Sequence, residues 1–127
     1  AQTVDRIIDA FPEEEKNQIR LQLSNNLLGV FSQRLLPRLD EQGLQLAYEL
    51  LIGTPGVRSL IREGKSHQID SLLETGVSDG MTSLERHLAH LVAQRVVSVE
   101  EARAYSRNPE LLETYLKEEM TRVGYRR

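Results

Sequence analysis

The chain has 127 residues and no cysteine, which excludes disulfides, thiolate metal sites and a cysteine nucleophile. With 39% apolar and 28% charged residues it has the make-up of an ordinary globular protein, long enough for one domain with a real core. A formal net charge of −3 argues against a nucleic-acid domain, and no apolar run approaches the ~18 residues that a membrane span needs.

The chain starts at Ala1 without an initiator Met and enters helical pattern almost at once, so a fragment of a longer protein is expected. Val4, Ile7, Ile8 and Phe11 recur at helical spacing, with Thr3 as cap. Pro12 closes that helix and opens a second, whose first turn holds Glu13, Glu14 and Glu15, where acids suit the helix dipole. Ile19, Leu23 and Leu27 share one face of it and Leu21 and Leu28 another, which predicts burial on more than one side. Gly29 breaks the pattern. Val30–Arg38 and Leu44–Ile52 then read as a β-hairpin around the turn residues Asp40, Glu41, Gln42 and Gly43. In the second strand Leu44, Leu46, Tyr48, Leu50 and Ile52 alternate with Gln45, Ala47, Glu49 and Leu51. Pro37 lacks the N–H a ladder needs, so the first strand should end or lie on an edge there.

Thr54 as cap, Pro55 at the first helical position and Gly64 as stop predict a short helix. Val57, Leu60 and Ile61 share its inner face, and Arg58 and Arg62 form a ridge on its flank that should look outward. Two arginines one turn apart repel by a few tenths of a kcal/mol. Arg58 also lies near the positive end of the helix dipole. Something beyond this helix must therefore reward the pair.

Ser66 is expected to cap a helix with Ile69, Leu72 and Leu73 inside and Gly76 at its end. Ser78, Asp79 and Gly80 make a turn, and Thr82–Glu85 has the form of a capping box before a helix carrying Leu84, Leu88, Leu91 and Val92 on one stripe. His67, His87 and His90 read as surface histidines, since a three-residue spacing is not the helical zinc pattern. Ser98–Glu101 repeats the capping box before a helix through Ala102 and Tyr105. Asn108 and Pro109 stop it and open a last helix with Leu111, Leu112, Tyr115, Leu116 and Met120 on its apolar side. Tyr125, Arg126 and Arg127 are a short basic tail. The fold class is mainly α with one β-hairpin (α+β), and residues from Pro55 onward form a five-helix region.

Gly64, Lys65 and Ser66 are the nearest thing to a phosphate loop, but Ser59 stands where its first glycine would be and the residues between read as helix. No catalytic residue and no metal site is predicted, and the chain alone is expected to be inactive towards ATP.

The decapeptide Gly56, Val57, Arg58, Ser59, Leu60, Ile61, Arg62, Glu63, Gly64, Lys65 resembles the Ala-Ile-Arg-Asn-Leu-Ile-Arg-Glu-Gly-Lys motif of the twitching-motility ATPases, the PilT family of type IV pilus retraction motors. Thr3–Pro12, Ser32–Arg38 and His67–Ile69 resemble the same family, although its histidine box is absent. The resemblance implies a C-terminal domain: residues 1–53 as the end of a RecA-like core, 54–127 as a helical region, together one compact unit. It implies a cytoplasmic homo-hexamer at the inner-membrane pilus machinery, with ATP and Mg²⁺ bound by parts of the subunit outside these residues. The decapeptide would then be the interaction surface for a neighbouring subunit or the pilus machinery. Two other readings are a related pilus-assembly or secretion ATPase and a stand-alone helical adaptor.

Overall fold

A computed structural model describes residues 2–122. The basic tail Tyr125–Arg127 lies outside them. Two helices, a two-stranded antiparallel sheet and five further helices follow in order: α1 (Gln2–Asp9), α2 (Lys16–Asn26), β1 (Gly29–Pro37), β2 (Leu44–Ile52), α3 (Pro55–Arg62), α4 (Ile69–Thr75), α5 (Leu84–Ala93), α6 (Val99–Tyr105) and α7 (Pro109–Arg122). The α+β class and the five helices after Pro55 are as expected. Short 3-10 turns at Glu13–Glu15, Ser66–Gln68 and Val77–Asp79 precede α2, precede α4 and follow α4.

Several local expectations shift. Thr3 lies inside α1, so it caps nothing; its hydroxyl meets that of Ser32 at 3.4 Å. The three glutamates form the 3-10 turn, and α2 begins only at Lys16. The expected two-sided burial of α2 fails, since Leu21 is 49% and Leu28 80% exposed. The capping box before α5 is displaced by one residue. Thr82 is engaged in a backbone bridge with Leu50, leaving Ser83 to accept from the Arg86 N–H at 3.2 Å. Glu85 is thereby released from any capping role. The Ser98 cap holds, accepting from the Glu101 N–H at 3.0 Å.

The hairpin register follows from its ends. Arg38 N–H donates to the Gly43 carbonyl at 3.0 Å and Gly53 N–H to that of Leu28 at 2.8 Å, so Leu36 lies opposite Gln45 and Val30 opposite Leu51. Pro37 ends β1 as expected. The core takes the less apolar face of β2: Ala47, Glu49 and Leu51 are buried, whereas Leu44 on the other face is 60% exposed.

Packing divides the chain into two compact units. The hairpin is long enough for each half to find its own helices. Unit one is Ala1–Ser32 with Leu50–Thr82, and unit two is Gln33–Glu49 with Ser83–Arg127. In unit one Val4 and Ile8 of α1, Leu51, Val57 and Ile61 of α3, Ile69 and Leu73 of α4 and Met81 make the core, with Ile19, Leu23 and Leu27 of α2 against it. In unit two Leu36, Ala47, Leu88, Val97, Ala102, Leu112 and Leu116 are among the buried residues. Each such leucine or isoleucine is worth roughly 1.5–3 kcal/mol of burial.

Helix α5 ends in a way the sequence does not advertise. Arg95 N–H reaches the Val92 carbonyl at 2.9 Å and Val96 N–H that of Leu91 at 3.0 Å, a Schellman closure with Arg95 at φ 62 in the place glycine prefers. The left-handed conformation costs a side-chain-bearing residue about 1–2 kcal/mol. Arg95→Gly is therefore expected to raise stability by about 0.5–1 kcal/mol, net of glycine's greater unfolded-state entropy. Urea titration checks this, and a lower midpoint would show that the Arg95 side chain has a role of its own.

Candidate functional site

The decapeptide forms α3 and the turn after it. Thr54 caps the helix by accepting from the Val57 N–H at 3.3 Å, and Pro55 occupies its first turn, as expected. At the other end Gly64 N–H donates to the Ile61 carbonyl at 3.1 Å and Lys65 N–H to that of Leu60 at 2.8 Å. With Gly64 at φ 72 this is a complete Schellman closure. It also engages the two amides a phosphate would need, so the Gly64–Ser66 stretch is built as a helix stop. Ser66 does not cap α4; its hydroxyl donates to the Asp5 carboxylate of α1.

Within the motif, burial separates packing from surface. Val57 and Ile61 are fully buried and Leu60 is partly so. Gly56, Arg62, Glu63, Gly64 and Lys65 are exposed. Ser59 Oγ donates to Glu63 Oε2 at 3.2 Å, and Lys65 Nζ lies 3.5 Å from Glu63 Oε1, so the turn carries a small polar chain.

The expected outward ridge of Arg58 and Arg62 is half right. Arg62 is exposed, but Arg58 turns back and donates from Nη2 to the Leu27 carbonyl at 3.0 Å. Leu27 is the C-cap of α2, the negative end of that helix's dipole, where a guanidinium is favoured. What α3's own dipole disfavours, the end of α2 rewards. The Arg58 Nε is buried without a hydrogen-bond partner among the described residues, so the side chain is held by that one carbonyl and its packing. Gly53 makes this possible: a β-carbon there would stand 2.1 Å from the Leu27 oxygen. Sequence reading missed Leu27, Gly53 and Arg20, whose Nε lies 3.9 Å from where a β-carbon on Gly64 would be. Only the glycine at 53, just before the Thr54 cap, hinted at a close approach.

His67 is exposed as expected. His87 is not a plain surface residue: its Nδ1 accepts the Tyr48 N–H at 3.0 Å and its ring lies 4.1 Å from that of Tyr48. His90 is 41% exposed, 3.9 Å from Glu119. Among the described residues no group of three or more His, Cys, Asp or Glu side chains is placed to hold a metal ion. No described helix is long and apolar enough to cross a membrane.

A hairpin leading into a capped arginine-bearing helix and four further helices is an α+β arrangement shared with part of a pilus motor subunit. The solved pilus retraction motor PilT with bound ADP superposes with a TM-score of 0.77 at 39% identity, over 89% of this chain and 31% of that one. The chain is 46% identical over 110 residues to a twitching motility protein of Neisseria gonorrhoeae, covering 87% of this chain and 29% of the relative. It is 44% identical over 110 residues to the type IV pilus retraction ATPase PilT of Pseudomonas aeruginosa, covering 87% and 32%. No protein-family model matches. The chain is thus a homologue of the PilT-type twitching-motility proteins, and it spans about a third of the length of the curated relatives it matches.

Proposed function

We propose that the chain is the C-terminal domain of a hexameric type IV pilus retraction ATPase. In this reading residues 1–53 finish the RecA-like core and 54–127 form the helical region. ATP and Mg²⁺ are held by other parts of the subunit, and this domain transmits hydrolysis as motion between ring neighbours on the cytoplasmic side of the inner-membrane pilus machinery. The observation that carries the reading is the decapeptide, seven of whose ten residues stand as in the twitching-motility motif, set on α3 and the exposed turn that follows it.

In this reading the motif's labour is divided. Arg58 supports: it ties α3 to the end of α2. Arg62, with Glu63 and Lys65 beside it, is the part that presents to a partner. The experiment follows from that split. Arg62→Ala in the full-length protein should leave thermal stability within about 0.5 kcal/mol of wild type, the usual range for a surface change. Twitching and pilus retraction should be lost. Arg58→Ala should instead cost about 2 kcal/mol, the scale of a hydrogen bond from a charged donor. Normal retraction by a stable Arg62→Ala protein would overturn the assignment of the contact surface.

A further inference from the structure

The outer edge of β2 is closed in two ways. Backbone N–H groups of alternate residues point to the same edge of a strand, so those of Tyr48 and Leu50 both face away from β1. Leu50 exchanges backbone hydrogen bonds with Thr82 at 2.8 and 3.1 Å, an ordinary ladder step. Among the described residues no strand pairs with this edge at Tyr48. The acceptor is the His87 ring of α5, whose Nδ1 takes the Tyr48 N–H at 3.0 Å. An imidazole here occupies the place of a neighbouring strand's carbonyl. A carbonyl accepts at any pH, whereas an imidazole nitrogen accepts only while it is unprotonated.

We propose that His87 is a pH-operated latch on the seam between β2 and α5, closed by the neutral ring and opened by its protonation. The neutral ring must carry its proton on Nε2. Protonation places a second N–H against that of Tyr48, leaving two donors face to face.

The surroundings favour the neutral form. Burial, and the charge His90 gains when it is protonated, both hold His87 below the ordinary histidine range. The charged groups on the neighbouring elements are engaged elsewhere. On α5, Arg86 lies over the Tyr115 ring at 4.3 Å and donates to its hydroxyl, and His90 is 3.9 Å from Glu119 of α7. Glu49, on the opposite face of β2 from Tyr48, pairs with Arg107 at 2.6 Å, Glu85 accepts from the residues before α7, and Arg103 of α6 pairs with Glu113 at 2.7 Å. Among the described residues no carboxylate lies within ion-pair distance of the His87 ring to stabilise its charge.

The sign is then settled. The folded pKa lies below the unfolded value of about 6.5, so the open form binds more protons and the latch weakens as pH falls through that value. Below it the seam loosens about ten-fold per pH unit until the folded group titrates as well.

Amide hydrogen exchange on the whole chain, corrected for intrinsic chemistry, tests this. Tyr48 protection should fall between about pH 7.5 and about pH 5.5, while that of Leu50 stays constant. In His87→Gln, whose amide oxygen accepts but does not titrate, Tyr48 protection should be independent of pH. In His90→Gln the pH dependence should persist. Constant Tyr48 protection in the wild type, or an undiminished fall in His87→Gln, would overturn the latch. Should His87→Gln fail to fold, nitrogen NMR of the wild-type ring decides. The Nε2–H tautomer at about pH 7.5 supports the proposal, and the Nδ1–H tautomer refutes it.

Discussion

Gly53→Ala is expected to destabilise the first unit by about 3 kcal/mol, a drop in Tm of roughly 10 °C. The cause is a single contact. An alanine β-carbon would stand 2.1 Å from the Leu27 carbonyl oxygen and 3.2 Å from that of Leu28, and backbone atoms cannot swing aside as a side-chain tip can. The Leu27 carbonyl is pinned further, since it ends α2 and accepts from Arg58. Relief would require moving α2 away from the strand end, breaking the 2.8 Å bond from Gly53 N–H to the Leu28 carbonyl and drawing Leu27 from the core. Gly56→Ala is the control. A β-carbon at 56 meets Leu72 Cδ1 at an ordinary 3.5 Å, and alanine favours the helix, so a gain of about 0.5–1 kcal/mol is expected. Thermal unfolding followed by circular dichroism separates the two. A Gly53→Ala protein as stable as wild type would mean that the α2 end is more pliable than its bonds imply.

Glu85→Ala should cost about 2–4 kcal/mol, the largest loss expected in the second unit. Glu85 is 4% exposed, and one of its oxygens, Oε2, accepts from Ser106 Oγ at 2.9 Å, Arg107 N–H at 2.8 Å and Asn108 N–H at 3.1 Å. Those donors are the link between α6 and α7. Alanine would strand the Arg107 N–H and the Ser106 hydroxyl, each an unmet desolvation cost of about 1–3 kcal/mol, while the Asn108 N–H keeps Ser106 Oγ at 3.1 Å. Glu85→Gln keeps an oxygen in the same place without the charge, so it should lose about half as much. The link has a second anchor in Glu49, which is 5% exposed, pairs with Arg107 at 2.6 Å and accepts from the Leu84 N–H at 3.4 Å. Glu49 and Glu85 should accordingly be coupled in a double-mutant cycle, losing less together than the sum of the separate changes. Urea unfolding measures all three, and additive losses would mean that the two carboxylates hold the link independently.

Much of the local plan was legible because it rests on short-range chemistry. Thr54–Pro55 and Gly64 bound α3 through capping and turn geometry that involve only neighbours in sequence. The Ser98 cap, the hairpin and the stop at Pro37 have the same origin. The errors fall where a distant partner claims a group. Thr82 looked like a cap until Leu50 took its backbone, and Ser66 until Asp5 took its hydroxyl. Glu85 had the sequence position of a capping residue and the tertiary position of a buried anchor. His87 read as a surface histidine, and nothing in its neighbourhood told that a strand edge 39 residues earlier would need an acceptor.

The candidate site divides along the same line. The sequence alone determined that Gly56–Lys65 is a capped helix with an apolar inner face, and its likeness to a twitching-motility motif singled it out, because identity, period and end signals are all local. It left the two arginines equivalent. Only the tertiary structure decided between them: α2 ends where Arg58 can reach, and its free carbonyl with the dipole behind it draws that guanidinium inward, whereas Arg62, one turn on, finds no such end and remains at the surface. A side chain's surroundings are set by what the rest of the chain brings near it, and no window of ten residues contains that.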